Sequence, residues 1–271
     1  MKRSRKREKK ISAIRLYRRY VGIHIRSTMQ YKTSFLLTTV GQFIFSFNVL
    51  IGITFLFNRF HQVADFTYSE VLICYAIVLM EFALAEMFGR GFDLFSGMVK
   101  HGEFDRVLVR PRNEILQVLG SKFELSRIGR MFQAVIVFIY GLLTADIDWN
   151  RWKVMTVVLM LIGGSLLFAG IFMIQAGMCF FTLEGLEFMN ILTDAAREYG
   201  KYPVSIYGKP VLLFCTFLVP YALIQYYPLL VILGRTARLW YSFLPLAAAM
   251  FLIPCLLFWR FGVRCYRSSG S

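Results

Sequence analysis

The sequence contains few residues that could build a metal-binding or catalytic centre. It has three histidines and five cysteines in 271 residues, and no Cys-x-x-Cys pair. His24, His61 and His101 are far apart, and the cysteines lie within or beside apolar runs, as small hydrophobic residues do. These absences argue against a local metal cluster and against a catalytic dyad.

Two motifs of soluble enzymes are also missing. No G-x-x-x-x-G-K-[ST] string occurs, so the chain has no P-loop with which to hold ATP. A G-x-S-x-G nucleophile elbow is absent too, which leaves serine-hydrolase chemistry without local support. We therefore expect a chain that is not an enzyme and that binds no cofactor of its own.

Apolar residues dominate the amino-acid composition. Hydrophobic residues make up 57% of the chain and the mean hydropathy is +0.57, values that a soluble domain could not sustain without large exposed apolar patches. Several runs approach the roughly 20 apolar residues that a helix needs to cross a bilayer. We predict an all-α integral membrane protein with six transmembrane helices, at about 33–57, 70–88, 131–143, 154–181, 211–226 and 243–261.

Basic residues outnumber acidic residues, 31 to 16, and their positions predict the orientation. Most of them fall before the first span, in the loop between the second and third spans, and near the C-terminus. This positive-inside pattern predicts a multi-pass membrane protein with both termini in the cytoplasm. Basic stretches beside apolar helices also attract anionic membrane lipid, so no nucleic-acid partner is expected.

The first 32 residues form a separate basic unit. Seven of the first ten residues are Lys or Arg, and apolar residues then recur at helical spacing from Ile11 to Ile25. The pattern predicts an amphipathic helix on the membrane surface, which can also touch a cytoplasmic partner. The remaining residues, 33–271, form the predicted six-span domain.

Two segments of the second half are not predicted to span. Residues 228–234, PLLVILG, are too few to cross the bilayer and are flanked by Tyr and Trp residues that suit the head-group level. We predict an outer re-entrant or interfacial element there, before the sixth helix. Residues 182–209 carry mixed charge, which predicts a helix on the inner surface.

Polar side chains inside the predicted spans are candidates for a substrate path. Glu81 lies near the middle of the second span and Glu86 towards its cytoplasmic end. A carboxyl group there is costly and often lines a pathway or relays protons, but it can also be a neutral group that helps helices pack, and packing is favoured. Gln42 and Asn48 in the first span are further path candidates, or form hydrogen bonds between helices.

The loop between the second and third spans is the most informative segment. Residues 94–130, LFSGMVKHGEFDRVLVRPRNEILQVLGSKFELSRIGR, combine a short amphipathic helix, a Gly break, charges of both signs and an Arg-Pro stop. Physical chemistry alone leaves two interpretations equal: a solvated face, or a docking element for a cytoplasmic protein.

Two stretches resemble a known family. Residues 102–124, GEFDRVLVRPRNEILQVLGSKFE, resemble the signature loop of type 2 ATP-binding cassette (ABC) transporter permeases, more narrowly of a bacterial subfamily encoded apart from its ATPase. Residues 199–228, YGKYPVSIYGKPVLLFCTFLVPYALIQYYP, resemble the Tyr-Pro turn that leads into that subfamily's fifth helix. The resemblance implies an N-terminal connecting helix, six spans, a cytoplasmic coupling helix between helices 2 and 3, and an outer re-entrant element before helix 6.

The resemblance also implies a mechanism and partners. In such permeases the coupling helix sits in a cleft of the ATPase, so that closure of the nucleotide sandwich moves the spans. Because no ATPase domain is fused here, two copies of a cytoplasmic ABC ATPase would carry ATP and Mg²⁺, and a second permease chain, identical or related, would complete the path. The resemblance implies a location in the bacterial inner (cytoplasmic) membrane and export as the direction of transport. The resemblance assigns coupling to a group of charged residues: Asp93, Lys100, Glu103, Asp105, Arg106 and Arg110.

Two other classes of function are weighed against the ABC exporter permease. A secondary transporter or channel needs coupling-ion residues, for which Glu81 and Glu86 are the candidates, but neither inverted repeats nor paired broken helices are apparent. A membrane-embedded enzyme needs a catalytic constellation, and none is found; a non-catalytic membrane scaffold is the remaining alternative.

Overall fold

The computed structural model describes residues 12–60, 62–63, 65–182 and 200–266. Within these ranges the secondary structure is helical, with short 3-10 turns and no strand, which confirms the predicted all-α fold. In chain order the helices are α1 (Ala13–Gln30), α2 (Lys32–Arg59), α3 (Tyr68–Asp93), α4 (Phe95–Lys100), α5 (Glu103–Val109), α6 (Glu114–Leu119), α7 (Ile128–Thr144), α8 (Arg151–Met178), α9 (Lys209–Phe217), α10 (Tyr221–Ile224), α11 (Tyr226–Ile232), α12 (Leu244–Ala249) and α13 (Leu252–Cys265).

Five helical segments of the described chain are long and apolar enough to cross a membrane. A sixth crossing is counted if α9 and the pair α10 and α11 form one bent span. The five segments fall where the first four and the sixth spans are predicted: Lys32–Arg59, Tyr68–Lys100, Leu125–Thr144, Arg151–Met178 and Leu239–Cys265.

Helix α3 forms the centre of the bundle. A capping box fixes its first turn, because the Glu70 carboxylate accepts the backbone N–H of Thr67 at 2.7 Å. Beyond that turn almost every side chain is buried, mainly against α7 and α8. Gly141 of α7 and Gly164 of α8 allow this close packing, since a Cβ at either position would overlap a side chain of α3.

The fifth span is not the straight helix over 211–226 that its apolar run predicts. Helix α9 ends at Phe217, and the segment Tyr221–Ile232 continues at an angle of 85° to it. Pro220 stands at the break, where it supplies no backbone N–H to continue the helical ladder. Helix α11 covers most of the PLLVILG segment that the sequence predicts to be re-entrant.

Within the segment 182–209, which the sequence predicts as a helix on the inner surface, Gly200 is buried in the bundle and Lys201 and Tyr202 are half-buried. Gln225 Nε2 donates to the carbonyl of Gly200 at 2.8 Å and to that of Tyr202 at 2.7 Å. The Gly200 carbonyl is also 3.9 Å from Cys74 Sγ, in the second turn of α3. Residues 183–199 of that segment fall outside the described residues.

Helix α1 is attached to one end of the bundle, here called the basic end and formed by α1 and α4 to α6. Tyr17 donates from its hydroxyl to the Phe88 carbonyl at 3.2 Å, and His24 Nε2 lies 2.9 Å from the Gly120 carbonyl. Tyr20 packs over Gly120, where a Cβ would overlap its ring. The basic run 1–11 falls outside the described residues.

Arg235 ties the chain after α11 to the N-terminal end of α3, opposite the basic end. Its guanidinium donates to both Glu70 carboxylate oxygens, at 2.7 and 2.8 Å, and to the Asp65 carbonyl at 2.7 Å. It also lies 4.5 Å from the centre of the Phe66 ring. One side chain therefore joins three segments of this end.

The Glu70 and Arg235 pair can be tested with a double-mutant cycle. Glu70→Gln keeps the shape and the capping acceptor but removes the charge, so we expect a loss of about 0.5–1 kcal/mol of unfolding free energy for this partly exposed ion pair. In an Arg235→Gln background the same change should cost almost nothing. Thermal unfolding in detergent measures both, and additive losses would contradict the contact.

Candidate functional site

Four charged side chains and one amide form an ionic cluster where α2, α3 and α7 meet. The Glu86 carboxylate pairs with Arg130, with Arg127 at 3.2 Å and with Arg90 at 3.6 Å. Arg130 also donates to Gln42 Oε1 at 2.9 Å. Glu86, Arg127 and Arg130 are all buried, so the cluster neutralises the carboxylate and joins the three helices near the basic end.

Beyond this cluster, α4, α5 and α6 form a short platform, here called the loop pad. Gln117 of α6 donates from Nε2 to the carbonyls of Val107 and Arg112, both at 3.1 Å, which fixes α6 against α5. Gly91 lets α6 lie directly on α3, because a Cβ there would overlap the Val118 carbonyl. The pad is therefore held by backbone contacts as well as by side chains.

An aromatic cluster fastens the pad to the spans. The Phe95 ring centre lies 5.0 Å from that of Phe104 and 4.9 Å from that of Trp259 in α13. Phe180, just after α8, lies 5.2 Å from Trp259, and Tyr266, just after α13, lies 5.2 Å from Phe104. Such pairs contribute about 0.5–1.5 kcal/mol each beyond the area they bury. The cluster thus connects α4 and α5 with the ends of α8 and α13.

The remaining surface of α5 is exposed and mixed in character. Val109 is 85% exposed and Leu108 is 43% exposed, beside the exposed turn at Pro111. A cavity of about 290 Å³ lies between α1, α5 and α6. Its lining includes three of the predicted coupling residues: Glu103, Arg106 and Arg110.

The structure separates the six predicted coupling residues into two groups. Four are exposed on the pad: Lys100, Glu103, Arg106 and Arg110. Asp93 is half-buried and pairs with Arg90. Asp105 is half-buried beside Tyr266; burial, and secondarily this carboxylate, raise the pKa of the Tyr266 phenol. The four exposed charges are available to a partner, whereas Asp93 and Asp105 have neighbours within the chain.

The three predicted path residues lie in different surroundings. Gln42 belongs to the ionic cluster. Glu81 is fully buried over Gly164, and neither carboxylate oxygen has a hydrogen-bond partner among the described residues. Asn48 is exposed on α2.

Sequence reasoning missed the apolar part of this site. It selected charges, but Val109 and Leu108 supply the most exposed apolar surface of α5, and the aromatic cluster fixes the helix. The sequence did contain a signal for it, namely two aromatic residues, Phe95 and Phe104, within a charged loop. Their partners lie at the ends of distant spans, which spacing along the chain cannot pair.

A family model described as ABC-2 family transporter protein matches residues 43–270. The chain belongs to the ABC-2 transporter family. The match confirms the resemblance seen in the two sequence stretches. No curated protein and no solved structure matches the chain.

Members of this family are membrane components of ABC transporters and are generally not catalytic. The family implies an ATPase partner and usually a dimeric arrangement. This ABC-2 chain is therefore a transport protein of a membrane, with several apolar helices that suit such a location.

The anchoring role of the aromatic cluster gives a stability prediction. Phe104 is fully buried, so Phe104→Ala should lower the free energy of unfolding by about 3–5 kcal/mol through the cavity that it leaves. Val109→Ala, on the exposed side of the same helix, should change it by less than about 0.5 kcal/mol. Equal losses in thermal unfolding would show that the cluster does not anchor α5.

Proposed function

We propose that this chain is the permease subunit of an ABC exporter and that the loop pad docks on a separate cytoplasmic ATPase. The observation that carries the proposal is the construction of α5. One side of it is buried in aromatic contacts with the spans, and the other side exposes Val109 together with Glu103, Arg106 and Arg110. An apolar centre with a charged rim is the usual composition of a protein interface.

The aromatic cluster supplies a route by which ATPase movement reaches the spans. A packed aromatic contact resists compression, so a displacement of α5 moves Trp259 and Phe180 rather than deforming the pad. Those residues lie at the ends of α13 and α8, and Gly91 places α6 on α3. Closure of the ATPase pair would therefore tilt three helices together and open the path outwards.

This proposal places the basic end in the cytoplasm of a bacterial cell, with both termini on that side of the inner membrane. The orientation follows from the basic residues, which would be costly to translocate. ATP and Mg²⁺ bind two ATPase copies and not this chain, and a second permease chain, identical or related, completes the path.

Secondary transport is the alternative that the structure makes less favourable. Its two candidate carboxylates are Glu81 and Glu86, but Glu86 is paired with arginines and Glu81 is packed over Gly164. Neither is exposed to a path within the described chain.

We expect Glu81→Gln to leave ATP-dependent transport within about twofold of the unmodified protein, because the amide fills the same space and Glu81 carries no coupling ion. Transport into inverted vesicles, with and without an imposed proton gradient, measures this. A loss of gradient-driven uptake caused by this substitution would instead favour secondary transport.

The ATPase partnership is tested by co-purification. We expect an ABC ATPase encoded next to this chain to purify with it and to hydrolyse ATP in a vanadate-sensitive reaction. Removal of the permease should abolish its membrane attachment. Failure of the ATPase to associate with the chain would contradict the proposed function.

A charge reversal tests the docking surface itself. Glu103→Lys with Arg106→Glu, at two exposed positions of α5, should reduce transport about tenfold or more, because like charges brought together across an interface cost several kcal/mol. Lys122→Glu reverses an exposed charge of the same loop outside α5 and is the matched control. Normal transport by the double variant, with normal insertion of both proteins, would exclude these two residues from docking.

A further inference from the structure

An apolar groove runs along α3 and α8 on the half of the bundle nearest the basic end. It has a volume of about 520 Å³, within the range of about 300–1,000 Å³ that is typical of ligand pockets. Helices α3, α6, α8 and α13 all contribute to its walls. We call it the α3–α8 groove, and its lining includes Ala85, Phe88, Ile115, Leu119, Ala169 and Leu256.

The groove offers a ligand contacts with hydrocarbon. Among the described residues that line it, Ser165 is the one with a hydroxyl, amide or charged group. Its single hydroxyl hydrogen is already used, because Oγ lies 2.6 Å from the carbonyl oxygen of Leu161 and 3.3 Å from that of Glu81. Phe88 and Leu166 at the rim are 43% and 38% exposed, so the groove is open to the surrounding lipid. A polar ligand would lose its hydrogen bonds there, whereas a hydrocarbon chain has none to lose.

The length of the groove matches one leaflet of a bilayer. Along α8 its lining extends from Leu161, near the middle of the helix, to Met173, in the last two turns. This distance is about 18 Å at a helical rise of about 1.5 Å per residue, and one leaflet contributes about 15 Å of hydrocarbon. An acyl chain that begins at the membrane surface of the basic end therefore follows the groove to the middle of the bilayer.

Helix α6 closes the groove at the basic end. Ile115 and Leu119, one turn apart, direct the apolar side of α6 into it, and Gly91 holds α6 directly on α3. A transmembrane helix of another protein is about 10 Å wide and continues beyond the hydrocarbon, so in this groove it would meet α6. An acyl chain is thinner and ends at its headgroup beside α6. The groove therefore fits a lipid chain better than a helix.

The basic helix α1 borders the same end of the groove. The hydroxyl of Tyr17 donates to the carbonyl of Phe88 at 3.2 Å, and Tyr20 packs over Gly120, the residue that follows α6. Both contacts bring α1 beside lining residues of the groove. Over Ala13–Gln30 the helix has no acidic residue, and it has four exposed arginines: Arg15, Arg18, Arg19 and Arg26. Such a helix attracts an anionic headgroup rather than a neutral one.

We propose that the α3–α8 groove binds one acyl chain of an anionic phospholipid whose headgroup lies against the arginines of α1. The chain fills the space between α3, α6, α8 and α13, and the phosphate accepts hydrogen bonds from guanidinium groups. The lipid thereby joins α1 and α6 to the spans at the basic end. This site is separate from the exposed side of α5 and does not depend on an ATPase partner.

Lipid binding is measured on the full chain purified in detergent without any ATPase. Phosphatidylglycerol, which is anionic, or phosphatidylcholine, which carries no net charge, is added at increasing concentration. Native mass spectrometry then counts the lipids that remain on each chain. We expect one phosphatidylglycerol per chain, bound at least about fivefold more tightly than phosphatidylcholine.

Two substitutions that fill the groove locate the acyl chain. Ala169→Phe on α8 and Leu256→Trp on α13 each place a ring where methylene groups would lie, so each should weaken phosphatidylglycerol binding about tenfold or more. Val154→Phe is the matched control, because Val154 is exposed on α8 in the other leaflet and outside the groove. Thermal unfolding monitored by circular dichroism shows that each variant is folded.

A further variant tests the headgroup contact. Arg18→Gln with Arg19→Gln removes the two charges next to Tyr17, so the preference for phosphatidylglycerol over phosphatidylcholine should be lost. Arg26→Gln, at an exposed position about two turns further along α1, should retain the preference.

Two outcomes would overturn the proposal: undiminished phosphatidylglycerol binding by both groove variants, or equal binding of the two lipids by the unmodified chain. A second protein chain that is retained without lipid, and is lost on Ala169→Phe, would assign the groove to a protein partner instead. None of these measurements needs ATP or transport, so failure of the ATPase to associate would leave the result readable.

Discussion

Neutralisation of Glu86 is the interaction on which the rest of the structure depends. A carboxylate near the end of a membrane helix is costly unless cations reach it, and Arg127 and Arg130 reach it from the start of α7. Arg130 extends the contact to Gln42 of α2. The same groups therefore fix the relative positions of three helices, and they do so immediately beside the loop pad.

The position of the loop pad follows from this arrangement of α2, α3 and α7. Helix α3 continues past the ionic cluster to Asp93. Gly91, near the end of α3, lets α6 pack directly on α3. The chain then folds back so that Phe104 meets Trp259. One side of α5 is packed rigidly against the spans, and the other side exposes charged residues. Such a helix can transmit the movement of a bound protein, whereas a loosely held loop would deform instead.

The sequence predicts those parts of the fold that depend on composition and local pattern. Long apolar runs mark the spans, and the charged string of the loop marks the pad. The bend at Pro220 had a local signal, but the apolar residues on both sides favoured a continuous helix. The burial of Gly200 against Cys74 had no local signal in the sequence, because it depends on a hydrogen bond from Gln225, which is distant along the chain. Likewise, charges identified the pad, whereas the pairing of its aromatic residues exists only in three dimensions.

The connection between Phe104 and Trp259 has a consequence for biosynthesis. Phe104 is synthesised before α7, α8 and the later helices, whereas Trp259 lies in α13 and Tyr266 just after it. Until that helix has been inserted, α5 lacks the neighbours that fix its orientation. The exposed face of α5 therefore takes its final orientation only after α13 is in place. If that face is the docking surface proposed above, an ATPase would bind only after α13 has been inserted.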